Sequence, residues 1–346
     1  LNLKHNRFSG NIPSEIGNLI KMKEISLSCM RYQNFSGLYL SGLYGSIPST
    51  IRNLSDLQYL DLGANCLGST LPSSLGNLVK LQYLDLSFNR YTAYPAHTCY
   101  GIGGNIPSSF GNLIDLQELI LDINNLTGEI PSELGNLRNL TKLYLDSNNF
   151  TSVSPEIGNL SNLNYLSIRK NSIIAIPSEL GNLINLRSLN LYNNNISGSI
   201  PSELGNLINL RSLNLSNNNI SGSIPQELGN LINLSYLYLS YNNISGTIPD
   251  HLENLNSLTN LDISYNQITG SIPYEFGNLD NLASLRIASN QMTGPIPISF
   301  INLTDLELLY FYETSICEPL TTEFIAWKET VNSWNGTGVF CDEDPY

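Results

Sequence analysis

Apolar residues recur along the chain with a period of 24 residues in most of its length. The clearest copies are residues 177–200 and 201–224, which differ only where Tyr192 is replaced by Ser216. Each copy contains an LxL segment that alternates apolar and polar residues, as a half-buried strand does. Because a fixed period with fixed apolar phases indicates coils that bury one another's apolar faces, the sequence predicts a solenoid with one short strand in each coil.

The fold class predicted is an α/β-type, curved solenoid. Counting LxL segments from Leu1 to Phe311 gives about 13 parallel short strands, which are expected on the concave face, with mostly irregular or 3-10 structure on the convex side. The interval between the prolines that mark successive units is 24 residues in most of the chain but 35 residues in two places. Eleven residues are therefore inserted at about 31–44 and again at about 90–103. Both insertions are rich in tyrosine, and surface loops of this kind often carry function.

One asparagine occupies the same phase in nearly every unit, where its amide can bond backbone groups that the turn would otherwise bury unpaired. These asparagines are Asn6, Asn65, Asn89, Asn124, Asn148, Asn171, Asn194, Asn218, Asn242, Asn266 and Asn290. The whole unit, LxxLxLxxNxLxGxIPxxLGNLxx, resembles the leucine-rich repeat. Its GxIP and GNL segments resemble the plant-type subclass of receptor-kinase ectodomains and polygalacturonase-inhibiting proteins, and the resemblance covers residues 1 to about 314. It implies a recognition scaffold.

The period stops after Glu313, so the solenoid is predicted to span residues 1–314 and a C-terminal cap residues 315–346. A disulfide between Cys317 and Cys341 would close the cap, which should also contain a short helix near Thr322 to Val331. Cys99, in the second insertion, is within reach of Cys66 on a neighbouring coil, which favours a second disulfide. Cys29 is then outside both predicted disulfides.

The net charge and the N-glycosylation sequons indicate the partners and the location of the protein. Sixteen basic and 29 acidic residues give a net charge of −13, which disfavours nucleic acid and anionic membranes as partners. No apolar run is long enough to predict a membrane span. Thirteen Asn-x-Ser/Thr sequons favour an extracellular protein, although a repeat rich in Asn, Ser and Thr also creates sequons by accident. The predicted glycosylation sites are Asn34, Asn125, Asn139, Asn149, Asn195, Asn214, Asn219, Asn233, Asn243 and Asn335.

The sequence contains no HExxH, GxSxG, P-loop or CxxC arrangement, so we predict no enzyme, no cofactor and no metal site. Two acidic pairs on successive coils, Asp61 with Asp85 and Asp122 with Asp146, would lie about 5 Å apart, the separation used by retaining glycosidases. Stacking places any duplicated residue beside its own copy, so a solvated acidic stripe explains them as well. Weak cation binding is a further alternative.

A surface of tyrosines and carboxylates is predicted near the insertions, because tyrosine offers a large, stiff contact area with a hydrogen-bonding tip. Strand propensity also favours tyrosine, so the pattern is not specific. The predicted ligand-binding residues are Tyr59, Asp61, Tyr83, Asp85, Phe88, Asp122, Tyr144 and Asp146.

Two functions from different classes fit these observations. The first is an extracellular, glycosylated, non-enzymatic scaffold that recognises a protein, a peptide or a cell-wall carbohydrate. The second is a structural surface or matrix glycoprotein whose copies join end to end in a filament, which the apolar edge at Leu1 and Leu3 and the dense sequons favour. Ice binding would require a flat regular face, which a curved solenoid does not offer.

Overall fold

The computed structural model of the 346-residue chain describes residues 1–6, 8–29, 42–93 and 97–341. These residues form two compact units, Leu1–Glu179 and Leu180–Tyr346, called here the first and second units. Each is a stack of coils in which a three-residue LxL strand is followed by a turn, a second short strand in most coils, and a 3-10 helix. The predicted repeat solenoid is confirmed. Asn34 and most of the first insertion lie outside the described residues.

The LxL strands, called here front strands, run parallel. In the first unit they are Glu24–Ser26, Tyr59–Asp61, Tyr83–Asp85, Glu118–Ile120, Lys142–Tyr144 and Tyr165–Ser167. In the second unit they are Ser188–Asn190, Ser212–Asn214, Tyr236–Tyr238, Asn260–Asp262, Ser284–Arg286, Leu308–Tyr310 and Ser333–Asn335.

The described residues thus contain 13 front strands, the number predicted, but their membership differs at both ends. The first coil contributes only an isolated bridge between Asn2 and Ser26. The thirteenth strand, Ser333–Asn335, comes from the predicted cap and pairs with Leu308–Tyr310, so that Trp334 stands opposite Leu309. The cap therefore extends the front sheet of the second unit.

Further short strands follow the turns. In the first unit they are Gly10–Asn11, Leu43–Gly45, Cys66–Leu67, Gly103–Gly104, Asn125–Ile130 and Asn149–Val153. In the second unit they are Ser197–Gly198, Asn219–Gly222, Asn243–Gly246, Gln267–Gly270, Gln291–Pro295 and Ser315–Cys317. The strands Arg90–Ala93 and His97–Tyr100 are different, because they form an antiparallel hairpin within the second insertion.

A 3-10 helix follows the IP proline of each coil, since proline fixes φ near the value a helix start requires. The described helices are Ser14–Asn18, Ser49–Asn53, Ser73–Asn77, Ser108–Asn112, Ser132–Asn136, Pro155–Asn159, Ser178–Asn182, Ser202–Asn206, Gln226–Asn230, Asp250–Asn254, Tyr274–Asn278 and Ile298–Asn302. The glycine of the GNL segment permits these helices to stack closely. A Cβ at Gly205 would lie 2.4 Å from the carbonyl oxygen of Glu227 in the next coil.

The core consists of the repeated leucines and isoleucines, and Leu213 and Leu237 of the front strands are fully buried. Burying such a side chain stabilises the fold by about 1.5–3 kcal/mol. The asparagine ladder is also confirmed. Asn218 donates to the carbonyl oxygens of Leu191 and Leu215, at 3.0 Å each, and accepts from the backbone N–H of Ile196 at 3.0 Å. Each ladder amide of this kind joins coils that the apolar core already holds together.

Disulfides are present at both predicted positions. Cys66 is bonded to Cys99, with their Cα atoms 5.1 Å apart, and Cys317 to Cys341, also at 5.1 Å. The thiol of Cys29 donates to the carbonyl oxygen of Asn6 at 3.6 Å.

The C-terminal segment contains an α-helix, Thr322–Lys328, which begins where the sequence predicts and ends three residues earlier. Thr321 caps it by accepting from the backbone N–H of Phe324 at 3.3 Å. The indole N–H of Trp327 donates to the carbonyl oxygen of Leu303 at 3.2 Å, which fixes the helix to the last coil. Among the described residues, no helix is long and apolar enough to cross a membrane.

Candidate functional site

Four carboxylates form a continuous row on the front of the first unit. Asp61 and Asp85 stand opposite each other on paired strands. Asp122 and Asp146 lie just after the next two front strands, and the backbone N–H of Asp146 donates to Oδ1 of Asp122 at 2.6 Å. The charges of neighbouring members disfavour ionisation of Asp85 and Asp122. We call Asp61, Asp85, Asp122 and Asp146 the acidic row.

The two ends of the acidic row are paired with cations. Asp61 is buried and receives Lys4 Nζ at 3.0 Å and the hydroxyl of Ser28 at 2.8 Å. Asp146 is also buried and receives Arg169 Nε at 2.6 Å and the hydroxyl of Ser167 at 2.6 Å. Because both carboxylates already have charged and hydroxyl donors, they serve the internal structure of the first unit.

Within the described residues, the two middle carboxylates have polar partners and form no ion pair within 4.0 Å. Asp85 accepts from the backbone N–H of Ser87 at 2.8 Å and from the hydroxyl of Tyr83 at 3.3 Å. None of the ion pairs found within 4.0 Å in the described part of the chain includes Asp85 or Asp122. Burial raises the pKa of Asp85. Burial and the neighbouring charge of Asp146 raise the pKa of Asp122 to about 7.

Tyrosines flank the acidic row. The rings of Tyr59 and Tyr83 are stacked with their centroids 4.3 Å apart and an interplanar angle of 4°. Lys4 donates to the hydroxyl of Tyr59 at 3.2 Å, so the cation that pairs with Asp61 also fixes this ring. Burial raises the pKa of Tyr83 and that of Tyr144, which keeps both phenols neutral at physiological pH. Phe88 is 42% exposed beside them, at a φ of 57°.

Seven of the eight residues that the sequence predicts for ligand binding therefore lie on one face of the first unit, within four consecutive coils, and Phe88 lies at the left-handed position at the edge of that face. The sequence analysis missed the basic residues of this face, namely Lys4, Lys142 and Arg169. Lys142 pairs with Glu118 on the adjacent strand at 2.9 Å. A signal was present, because Arg169 occupies in its coil the position that Asp146 occupies in the preceding one.

The front of the second unit carries tyrosines without an acidic row. Tyr241 and Tyr265 are stacked with their centroids 4.1 Å apart, and the hydroxyls of Tyr265 and Tyr312 are 2.8 Å apart. This hydrogen bond raises the pKa of Tyr312 to about 12. The guanidinium of Arg286 lies 5.7 Å from the ring centre of Tyr310. Tyrosine surfaces thus occur in both units, and the group of four carboxylates distinguishes the first, since the second unit has the single Asp262 on its front strands.

Metal binding finds no support in the arrangement of side chains. Across the described residues, no group of three or more His, Cys, Asp or Glu side chains is placed to hold a metal ion. The acidic row is extended along the sheet and offers each carboxylate different partners, so the side chains do not converge on one point. Its chemistry is that of a surface able to receive a cationic group.

Sequence comparison identifies leucine-rich repeats in most of the chain. A leucine-rich repeat region matches residues 97–226, a second leucine-rich repeat family matches residues 46–90 and 208–268, and a third matches residues 1–19. Among curated proteins no match is found.

Several solved structures are similar. The plant peptide hormone receptor RGFR1, solved in complex with RGF2, is 30% identical with a TM-score of 0.68, over 97% of this chain and 62% of the receptor chain. The ectodomain of the Arabidopsis receptor kinase HAESA, solved with an extended IDA peptide hormone, is 30% identical with a TM-score of 0.73, over 95% and 60%. A plant ice-binding protein is 26% identical with a TM-score of 0.52, over 79% and 74%. The chain spans about three fifths of the length of the two receptor chains.

Proposed function

Since this chain belongs to the leucine-rich repeat family and is similar to plant receptor ectodomains, we propose that it is an extracellular, non-enzymatic recognition module. Its ligand is a protein or peptide that places a basic side chain against Asp85 and Asp122. The observation on which this rests is that these two half-buried carboxylates belong to none of the ion pairs found in the described part of the chain, whereas Asp61 and Asp146 on either side do.

The free-energy cost of withdrawing these carboxylates from water supports this assignment. A carboxylate withdrawn from water without a cation is destabilised relative to its protonated form, which the raised pKa values of Asp85 and Asp122 express. A lysine or arginine from a ligand would provide the missing charge and convert that cost into binding free energy. The stacked Tyr59 and Tyr83 rings lie beside Asp85 and would supply contact area at small conformational cost.

The similar structures support the class of ligand. RGFR1 was solved with RGF2, and HAESA with an IDA peptide hormone. A peptide ligand for this chain is consistent with those complexes and with an open row of carboxylates and rings along successive coils. Two disulfides and many exposed sequons support an extracellular location, where disulfides persist and glycans are attached. Glycosylation of the predicted asparagines belongs to the same proposal.

The test uses a displayed library of random twelve-residue peptides, selected against the folded protein. We expect the recovered peptides to be enriched in Arg or Lys. Losing a charge-assisted contact of about 1.5–3 kcal/mol should weaken their binding to Asp85→Asn/Asp122→Asn by about tenfold or more. The control Asp115→Asn/Asp280→Asn removes the same net charge from exposed positions and should bind like the wild type. Equal binding by all three proteins would reject the proposal.

Self-assembly is the second candidate, because apolar side chains are exposed around a cavity of about 450 Å³ in the second unit. Leu320, Ile325 and Phe340 at this surface are 58%, 45% and 54% exposed. Sedimentation velocity over a wide concentration range distinguishes the candidates. Association that Leu320→Ser/Phe340→Ser abolishes would favour assembly, and a monomer at every concentration would remove it.

Ice binding is not proposed, although one similar structure is a plant ice-binding protein. An ice-binding face repeats the same small hydroxyl or amide groups at a regular spacing. The outward positions of the front strands in the first unit instead alternate among tyrosine, aspartate, glutamate and lysine, as in Tyr83–Asp85, Glu118–Ile120 and Lys142–Tyr144. Such a surface fits a chemically varied ligand better than an ice lattice.

A further inference from the structure

A cleft of about 400 Å³ lies at the edge of the first unit, beside the acidic row. One wall consists of Ile123, Ser147 and Lys170, each of which directly follows a front residue of its coil and has a φ of 54–55°. Backbone hydrogen bonds hold this wall, from Ile123 N–H to Asp146 O at 2.8 Å and from Ser147 N–H to Arg169 O at 2.8 Å. The repeated left-handed step directs the three side chains away from the front and onto the edge. We call this space the edge cleft.

The other wall of the edge cleft is the hairpin of the second insertion, which contributes Arg90 and Tyr91. Tyr91 stands opposite Cys99 in the hairpin, and Cys99 is bonded to Cys66 in the solenoid. The backbone N–H of Arg90 also donates to the carbonyl oxygen of Ile123 at 3.1 Å. A disulfide and a main-chain bond therefore fix this wall against the coils.

The charges in the edge cleft are unusual for this protein. Arg90 and Lys170 line it, no carboxylate does, and neither cation belongs to an ion pair found among the described residues. The guanidinium of Arg90 donates from Nη1 to the carbonyl oxygen of Asn124 at 3.4 Å. The protein carries a net charge of −13, whereas the charged residues that line this cleft are both cations.

We propose that the edge cleft is a binding subsite for an oxyanion, a carboxylate, sulfate or phosphate group carried by a ligand. Guanidinium and ammonium groups bind such anions through charge-assisted hydrogen bonds, and the hydroxyl of Ser147 adds a neutral donor. Within the nearby acidic row, Asp146 does not oppose this, because Arg169 neutralises it. The subsite does not depend on the basic group proposed to bind Asp85 and Asp122.

The test is a calorimetric titration of the full chain with sodium sulfate, sodium phosphate and sodium acetate, each separately and at low ionic strength. We expect one binding event that weakens about tenfold or more in Arg90→Gln/Lys170→Gln, since each lost charged contact is worth about 1.5–3 kcal/mol. The control Lys21→Gln/Arg138→Gln removes the same charge from exposed positions and should leave binding unchanged. Sulfate and phosphate without acetate would identify a tetrahedral anion, and acetate alone a carboxylate.

Two further variants distinguish anion binding in the edge cleft from ligand binding at Asp85 and Asp122. Cys66→Ser/Cys99→Ser removes the bond that fixes the hairpin wall and should weaken anion binding, whereas Asp85→Asn/Asp122→Asn should not weaken it. Far-UV circular dichroism and thermal melting confirm that each variant is folded. Equal weakening in the Arg90/Lys170 variant and its control would show general charge screening and overturn the proposal. Absence of a binding event with all three anions would overturn it too.

Discussion

The first and second units place different residues at one equivalent position of the front strand. In the first unit it is Asp85, whose Oδ1 accepts from the backbone N–H of Ser87 at 2.8 Å. In the second unit it is Asn190, Asn214 or Asp262, whose Oδ1 atoms accept from Tyr192, Ser216 and Ser264 in the same way, at 3.1 Å each. This hydrogen bond is thus made with or without a charge on the side chain, and Ile120, which pairs with Asp85 on the next coil, has no such oxygen.

The four carboxylates of the first unit can be divided into those that the fold uses and those that a binding site would use. Asp61 and Asp146 use their charge internally, in ion pairs with Lys4 and Arg169. Ionisation of Asp85 and of Asp122 costs free energy, as their raised pKa values show, and asparagine would avoid that cost. A residue that costs the folded state more free energy than the fold requires indicates a role other than folding.

The ladder should be equally important in both units if it belongs to the fold. Asn124→Ala in the first unit and Asn218→Ala in the second should each destabilise by about 3–9 kcal/mol, since three backbone groups lose a partner worth about 1–3 kcal/mol each. Their partners are equivalent. Asn195→Ala, at the exposed neighbouring position, should change stability little. Guanidinium unfolding measures all three, and similar shifts would show that the ladder is not the essential element.

The raised pKa of Asp122 predicts a pH dependence specific to the first unit. Its pKa rises from 3.8 to about 7 on folding, so its contribution is most favourable below pH 3.8 and is lost as pH rises through 7. At about 1.4 kcal/mol per pKa unit, the contribution falls by up to about 4 kcal/mol. Asp122→Asn should remove this decline between pH 4 and 8. Denaturant midpoints measured across that range check it, and an unchanged decline in the variant would contradict the assignment.

Charge removal should affect the paired and unpaired carboxylates differently. Asp146→Asn should destabilise by about 1–2 kcal/mol, a value reduced because Arg169 is half exposed. Asp85→Asn should lie within about 0.5 kcal/mol of the wild type, since asparagine retains the backbone hydrogen bond. Urea unfolding at pH 7 compares the two. Equal destabilisation would mean that Asp85 also serves the fold, which would remove the basis of the comparison.

Glycans should not distinguish the two units, because the exposed loop sequons occupy the same position in their coils. We expect glycans on Asn125 and Asn149 in the first unit and on Asn195, Asn219 and Asn243 in the second. Occupancy should be lower at Asn139 and Asn233, whose amides donate to the preceding coil at 2.9 and 2.8 Å. Glycopeptide mass spectrometry of native material measures the occupancy of each site. If all five sites were unmodified, the sequons would no longer support an extracellular location.

The period of the sequence was sufficient to predict the strands and the ladder, because a repeat places equivalent residues side by side. The disulfides were predicted from other features, since Cys99 lies in an insertion within reach of Cys66, and Cys317 and Cys341 enclose a segment beyond the last repeat. It also brought Tyr59, Tyr83 and the acidic row to one face. The thirteenth front strand was not predicted, since Ser333–Asn335 has no LxL pattern and joins the sheet through Trp334 opposite Leu309. Packing of the C-terminal aromatic residues, which periodicity does not describe, decides that pairing.

Which carboxylates have a cation was not predictable either. Lys4 belongs to the first coil, and Arg169 to a coil two residues shorter than its neighbours. Their pairing with Asp61 and Asp146 depends on side-chain geometry at 3.0 and 2.6 Å. The edge cleft also escaped the sequence analysis, because Arg90 lies in an insertion whose hairpin direction follows from the Cys66–Cys99 disulfide and from main-chain pairing.

The most direct test of the central claim is an NMR titration of the Asp122 carboxyl carbon, with and without a basic peptide obtained from the library. The free protein should show a pKa of about 7, as burial and Asp146 require. A ligand cation placed within about 4–6 Å should lower that pKa by about 1–3 units. A pKa that remains near 7 while the peptide is bound would show that the ligand does not bring its charge to Asp122, and would contradict the account.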